Sequence, residues 1–215
     1  MSRHTTDSSS APGSSAARLA ASGAPDLQGY EILLCVTGGI AAYKAAFLVS
    51  LFVQQGAGVT VAMTRSARRF VGKSTFQALT GRPVGLSLWT GGGPGEINHL
   101  RLTETADLCI VAPATANCLG KLAGGLADDL VSSLLLGCAC PVLLAPAMNE
   151  RMWQHPAVQR NVGFLKSSGF ELIGPADGWQ ACRAVGPGRM SEPDAIFAAA
   201  VSRLKITKPK AAAQR

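Results

Sequence analysis

The chain has 215 residues, 47% of them hydrophobic and only 15% charged, which provides a sizeable core for one α/β domain and excludes a largely disordered protein. Part of the net charge of +7 sits at the ends, with Arg3 and Arg18 in front and Lys205, Lys208, Lys210 and Arg215 behind, a placement typical of solvated tails and not of a nucleic-acid reader. The low charged fraction hints at surface buried against further copies of the chain.

Residues 1–28 are rich in Ser, Ala, Gly and Pro and lack an apolar period, so they read as a disordered leader or, alternatively, as a Ser-rich targeting peptide. One folded domain is expected over 29–204, followed by a basic disordered tail over 205–215. It opens on a buried strand at 31–36, the turn Thr37-Gly38-Gly39-Ile40 and a helix over 41–55, a phosphate-binding type of turn. The dinucleotide fingerprint fails, because Ile40 and Tyr43 stand where it needs glycine. A second strand at 59–63 ends in Thr64-Arg65-Ser66, hydroxyls beside a positive charge that suit a phosphate. Gly72-Lys73-Ser74 resembles the end of a P-loop, but Ala67 occupies its first glycine position. The cluster Arg65, Arg68, Arg69 and Lys73 attracts an anionic substrate or is simply a solvated helix face.

A short helix is expected at 76–79, a turn at Gly81-Arg82-Pro83 and a minor or edge strand at 86–89. The glycine-rich loop at 91–95 leads to His99 at a helix start, where a histidine either reaches into a site or serves structure. The apolar run 108–112 reads as a buried parallel strand. It breaks into Pro113-Ala114-Thr115-Ala116-Asn117, with Thr115 or Asn117 able to cap a helix whose region extends through 128–136. Free N–H groups at that helix start face an anion or a polarised ring edge. A fifth strand at 141–145 runs into Pro146-Ala147-Met148-Asn149; Met152 and Trp153 read as core packing. A helix at 156–168 and a last strand at 170–173 precede a loop at 174–190 without regular pattern, and a helix at 193–204 ends the domain. Loops of that length are usually functional. This one holds Cys182 and reads as a hinged flap whose Arg183 or Arg189 closes over an anion.

Strands alternating with helices give an α/β, Rossmann-like doubly wound, mostly parallel sheet in a single domain. Six cysteines without a Cys-x-x-Cys pair, and only three histidines, argue against a metal site. No apolar run approaches a membrane span and no signal peptide is apparent, so the expected setting is reducing and cytoplasmic, with no membrane partner. No aromatic-interleaved basic platform for single-stranded nucleic acid is present.

Five motifs in order carry a resemblance over about residues 30–203: Thr37-Gly38-Gly39-Ile40-Ala41-Ala42-Tyr43-Lys44, His99 before Leu100, Ala112-Pro113-Ala114-Thr115-Ala116-Asn117, Pro146-Ala147-Met148-Asn149 with Met152-Trp153, and Ala181-Cys182 followed by Gly186-Pro187-Gly188-Arg189-Met190. The chain resembles the flavin-dependent cysteine decarboxylases, above all the branch that makes 4′-phosphopantetheine and CO2 from phosphopantothenoylcysteine in coenzyme A synthesis. The resemblance implies FMN on Gly38, Gly39, Ile40, Thr64, Arg65, Ser66, Thr115, Ala116, Asn117, Cys118 and Ala145. It implies His99 as base, Asn149 on the substrate carboxylate and Cys182 as proton donor, in a reaction through transient oxidation to a thioaldehyde and re-reduction. Ala181, Arg183, Arg189 and Met190 are expected at the phosphorylated small-molecule substrate. It further implies a homo-oligomer, a trimer or a dodecamer built of trimers, with FMN near the subunit interface. The phosphopantothenate–cysteine ligase, often fused to bacterial members, is expected as a separate protein or as a part outside this sequence. Ala127-Asp128-Asp129-Leu130 departs from the Ala-Asn-Asp-Leu of many bacterial members. Rival readings are a peptidyl-cysteine decarboxylase, a flavin prenyltransferase, against which the Asn149 and Cys182 pair argues, and a non-catalytic regulatory relative, against which the short basic tails argue.

Overall fold

The structure, a computed structural model, describes residues 26–89, 99–179, 181, 183, 185–204 and 209–210. Most of the expected leader and tail lie outside these residues, but Leu27 is buried, with its N–H donating to the Gln55 carbonyl at 2.9 Å. Among the described residues, six strands form one sheet: β1 (Glu31–Val36), β2 (Gly58–Met63), β3 (Val84–Gly85), β4 (Leu108–Ala114), β5 (Val142–Pro146) and β6 (Glu171–Leu172). Their order is β3-β2-β1-β4-β5-β6 and every pairing is parallel, from Glu31↔Gly58 on one side of β1 to Ile32↔Leu108 on the other. Near-continuous apolar strands belong in such a sheet because helices cover both faces. All seven residues of β4 are buried.

The two-residue period of a strand divides the core in two. Ile32, Leu34, Val36, Leu108 and Ile110 point into one cluster, and Leu33, Cys35, Cys109 and Val111 into the other. The first is covered by α1 (Ala42–Gln54), α2 (Lys73–Thr80) and, after the sheet is complete, the C-terminal helix Pro193–Leu204. The rings of Phe52 and Phe197 meet edge to face there, with centroids 5.0 Å apart. The second lies under α3 (His99–Thr105), α4 (Ala116–Ala123), α5 (Leu130–Gly137) and, beyond the short α6 (Glu150–Gln154), α7 (Pro156–Ser167). The C-terminal helix is α8. No helix among the described residues is long and apolar enough to cross a membrane.

Three expectations are corrected. The edge strand is Val84–Gly85, directly after Pro83, and residues 86–89 are not strand; only two residues pair with β2 before the chain leaves the sheet, and Trp89 is 90% exposed. The helical region after β4 is two helices, because Gly125 takes φ 68° and Asp129 restarts the chain as the cap of α5. Residues 174–190 hold regular structure: β7 (Ala176–Trp179) and β8 (Val185–Arg189) form an antiparallel hairpin. Its strands, Ala-Asp-Gly-Trp and Val-Gly-Pro-Gly-Arg, are rich in Gly and lack apolar alternation, which hides them from period-based reading.

Candidate active site

The chain leaves β1 toward β2 on one side and returns to β4 on the other, so the loops at the carboxyl ends of β1 and β4 diverge and open a crevice. Thr37, buried at the end of β1, ties its two walls together. Its hydroxyl donates to the Pro113 carbonyl at 2.7 Å and accepts from the Thr115 N–H at 3.3 Å. Gly38 follows in close approach to the loop after β2; a Cβ there would lie 2.3 Å from Ser66 Cβ and 3.0 Å from its carbonyl carbon. Gly39 faces Thr115, whose hydroxyl accepts from the Cys118 N–H and caps α4. Ala116 and Asn117, in the first turn, have N–H groups beyond the reach of any intrahelical acceptor.

These loops line a cavity of about 1030 Å³ together with Ile40, Thr64, Arg65 and Ser66. Asn149, Ala181, Arg189 and Met190 line it as well. Of the expected cofactor residues, all but Ala145 are therefore brought together. Ala145 is wholly buried in β5, within the first core cluster, and is not part of the lining. Arg183 is exposed, has φ 66° and is not part of the lining. His99 is the first residue of α3, and Cys182 lies outside the described residues.

Asn149 caps α6: Oδ1 accepts the Met152 N–H at 2.8 Å, which leaves Nδ2 without a partner among the described residues. The hairpin reaches the same wall, since the Gly188 carbonyl accepts the Met148 N–H at 2.9 Å and Met190 is sunk in the core. Met152, expected in the core, is 44% exposed and lines the cavity, because α6 has only five residues and turns it outward; Trp153 beside it does pack on the second cluster.

Charge enters from residues to which the sequence reading gave no role. Lys44 lines the cavity from the first turn of α1 while almost wholly buried, and both oxygens of Glu192 accept from its ammonium, at 3.0 and 2.9 Å. Lys121 bridges Asp128 at 2.7 Å and Asp129 at 2.8 Å. Burial works against the Asp129 carboxylate, but hydrogen bonds from Lys121 and Ser132 outweigh it and hold its pKa below the usual value. The Cys118 thiol is pushed up to about 12, chiefly by burial, and stays neutral. A local signal that would have found Asp129 is its place as a cap three residues before Ser132; Lys44 and Thr37 gave none, because their partners lie 148 and 76 residues away. The cleft thus offers backbone N–H groups at two loops, hydroxyls beside Arg65, apolar walls and the side-chain amides of Asn117 and Asn149. That set suits a planar, phosphorylated ligand with a carboxylate-bearing molecule beside it.

A family model for flavoproteins matches residues 21–205. The coenzyme A biosynthesis bifunctional protein CoaBC of Bacillus subtilis (strain 168) is 50% identical over 170 residues, covering 79% of this chain and 42% of that protein. The chain spans less than half the length of the curated relatives it matches. A solved cysteine-to-serine mutant of PPC decarboxylase, complexed with pantothenoylaminoethenethiol, matches with a TM-score of 0.74 at 30% identity over 82% of this chain and 98% of that one. The FMN binding protein AtHal3 matches with a TM-score of 0.73, also at 30% identity, over 84% of this chain and all of that one (100%).

Proposed function

We propose that this chain, which belongs to the flavoprotein family, binds FMN in the cleft and decarboxylates N-(4′-phosphopantothenoyl)-L-cysteine to 4′-phosphopantetheine and CO2, a step of coenzyme A biosynthesis. The observation that carries the reading is the convergence of the Gly38-Gly39 turn, the capped start of α4 and the Asn149 amide on one cavity.

The residues fit the cofactor. The cavity, about 1030 Å³, matches the upper end of the range for cofactor clefts, roughly 300–1,000 Å³. Gly38 and Gly39 let a ligand approach backbone, Thr64, Arg65 and Ser66 suit its phosphate, and the N–H groups of residues 116 and 117 suit a polar ring edge. FMN, when bound, supplies the transient oxidation of the thiol-bearing carbon and its later reduction, which make loss of CO2 possible. Around it, His99 takes the proton released in oxidation, a general-base role for which imidazole is the usual side chain. Asn149 holds the substrate carboxylate through Nδ2 without placing a full positive charge on it. The neutral Cys118 thiol offers no competing nucleophile. Ala181, Arg189 and Met190 bring the hairpin to the substrate. Cys182 returns a proton to carbon after CO2 has left.

The chain works in the cytoplasm as a homo-oligomer, a trimer or an assembly of trimers. Ile40, Tyr43 and Phe47 support this: they form an apolar row along α1 and the turn before it, each more than half exposed, and its first two members also line the cavity. The substrate comes from a phosphopantothenate–cysteine ligase. The role of Cys182 is tested by the Cys182→Ser variant, which should release CO2 yet form no 4′-phosphopantetheine, as followed by gas capture and mass detection of the product. Full product formation by that variant would refute the assignment.

A further inference from the structure

Glu192 lies outside the cavity lining, yet it is bound to two side chains that belong to it. Its carboxylate takes the Lys44 ammonium on both oxygens, at 3.0 and 2.9 Å, and the guanidinium of Arg189 as well. The Lys44 side chain is only 10% exposed, so water replaces little of what the carboxylate provides. A buried ammonium stripped of its partner seeks the nearest anion. Arg189 directly follows Gly188, which is hydrogen-bonded to Met148, and Met148 precedes Asn149. The two cations and the amide donor thus border one cavity.

We infer that Glu192 is a positioning residue: acting through Lys44 and Arg189, it withholds both cations from the substrate carboxylate and leaves the Asn149 amide to hold it. The inference rests on the decarboxylase reading above. The reason lies in the reaction itself. A carboxylate that departs as CO2 gives up its negative charge on the way to the transition state. A cation paired with it stabilises the bound substrate more than the transition state, so binding tightens while turnover slows.

The test is Glu192→Gln in the FMN-loaded full chain, with a second measurement on flavin-free protein. Both kcat and KM should fall, each by about tenfold. In flavin-free protein, the dissociation constant for N-(4′-phosphopantothenoyl)-L-serine, which lacks the reactive thiol, should tighten by about the same factor in calorimetry. A purely structural role would instead raise KM and weaken the analogue; an unchanged or raised KM, or unchanged analogue binding, overturns the inference. Should Glu192→Gln fail to fold, Lys44→Met is compared with Lys44→Met/Glu192→Gln, in which Arg189 alone is released. The double variant must then show the lower kcat and the lower KM, and equality of the two sinks the idea. Absence of 4′-phosphopantetheine from the unmodified protein would sink the decarboxylase reading itself, a separate and distinguishable result.

Discussion

The Asn149 amide is divided between two tasks by geometry, since Oδ1 accepts the Met152 N–H at 2.8 Å and Nδ2 is left to the cavity. Asn149→Asp separates them. A carboxylate keeps the capping acceptor, so the melting temperature should stay within about 2 °C of the parent and flavin should still bind. The donor is lost and a like charge now meets the substrate carboxylate, so turnover should drop by about 10²-fold or more. Parent-like turnover would remove Asn149 from the chemistry. The sequence pointed to Asn149 because it stands where a buried strand ends in a small polar residue. Thr37 and Lys44 stand in a quoted motif, yet their roles escaped notice because their hydrogen bonds join residues far apart in the chain, and no local pattern encodes such a link. Met152 was misassigned because a methionine beside a tryptophan reads as core unless the length of its helix is known.

At the scale of elements, α4 and α5 meet at a polar knot in which Asp129 caps α5 through Ser132 and receives Lys121. The folded-state pKa of Asp129 is lowered, so its contribution to stability is complete above the unfolded carboxylate value, about 3.9, and fades as pH falls through the lower folded value. Asp129→Asn keeps a capping oxygen but loses the charge. It should destabilise the fold modestly at neutral pH, by less than about 1 kcal/mol because the side chain is partly solvated, read as a small fall in melting temperature. The gap from the parent should narrow as melts are repeated at pH values falling progressively below the usual carboxylate range. A gap independent of pH would show that charge is not what Asp129 contributes. The strands β1, β2, β4 and β5 and the helices α1, α7 and α8 were legible within a residue or two, since burial on both faces and a helical period mark them. The hairpin was not: Ala-Asp-Gly-Trp opposite Val-Gly-Pro-Gly-Arg has no alternation, and only pairing across the turn makes it a ribbon. The single expected helix after β4 failed for a related reason, since Gly124-Gly125 permits either a bend or a break.

For the whole molecule, alternation of strands and helices implied a doubly wound sheet, while the strand order that opens the cleft beside β1 emerges only from the pairing. In the proposed assembly, the apolar row Ile40, Tyr43 and Phe47 beside that cleft joins cofactor binding to self-association. The parent should elute with a mass of three chains of 22.1 kDa, or a multiple of that trimer. Phe47→Asp should shift it toward monomer and weaken FMN retention, measured by light scattering and by flavin absorbance after gel filtration; an unchanged mass would place the interface elsewhere. The central claim is tested most directly by one experiment on the purified protein. Its visible spectrum is recorded after reconstitution with FMN, phosphopantothenoylcysteine is added, and the products are weighed by mass spectrometry. A bound yellow flavin with 4′-phosphopantetheine and CO2 formed in equal amounts is the predicted result. Protein that binds no flavin, or binds it and leaves this substrate intact, contradicts the account.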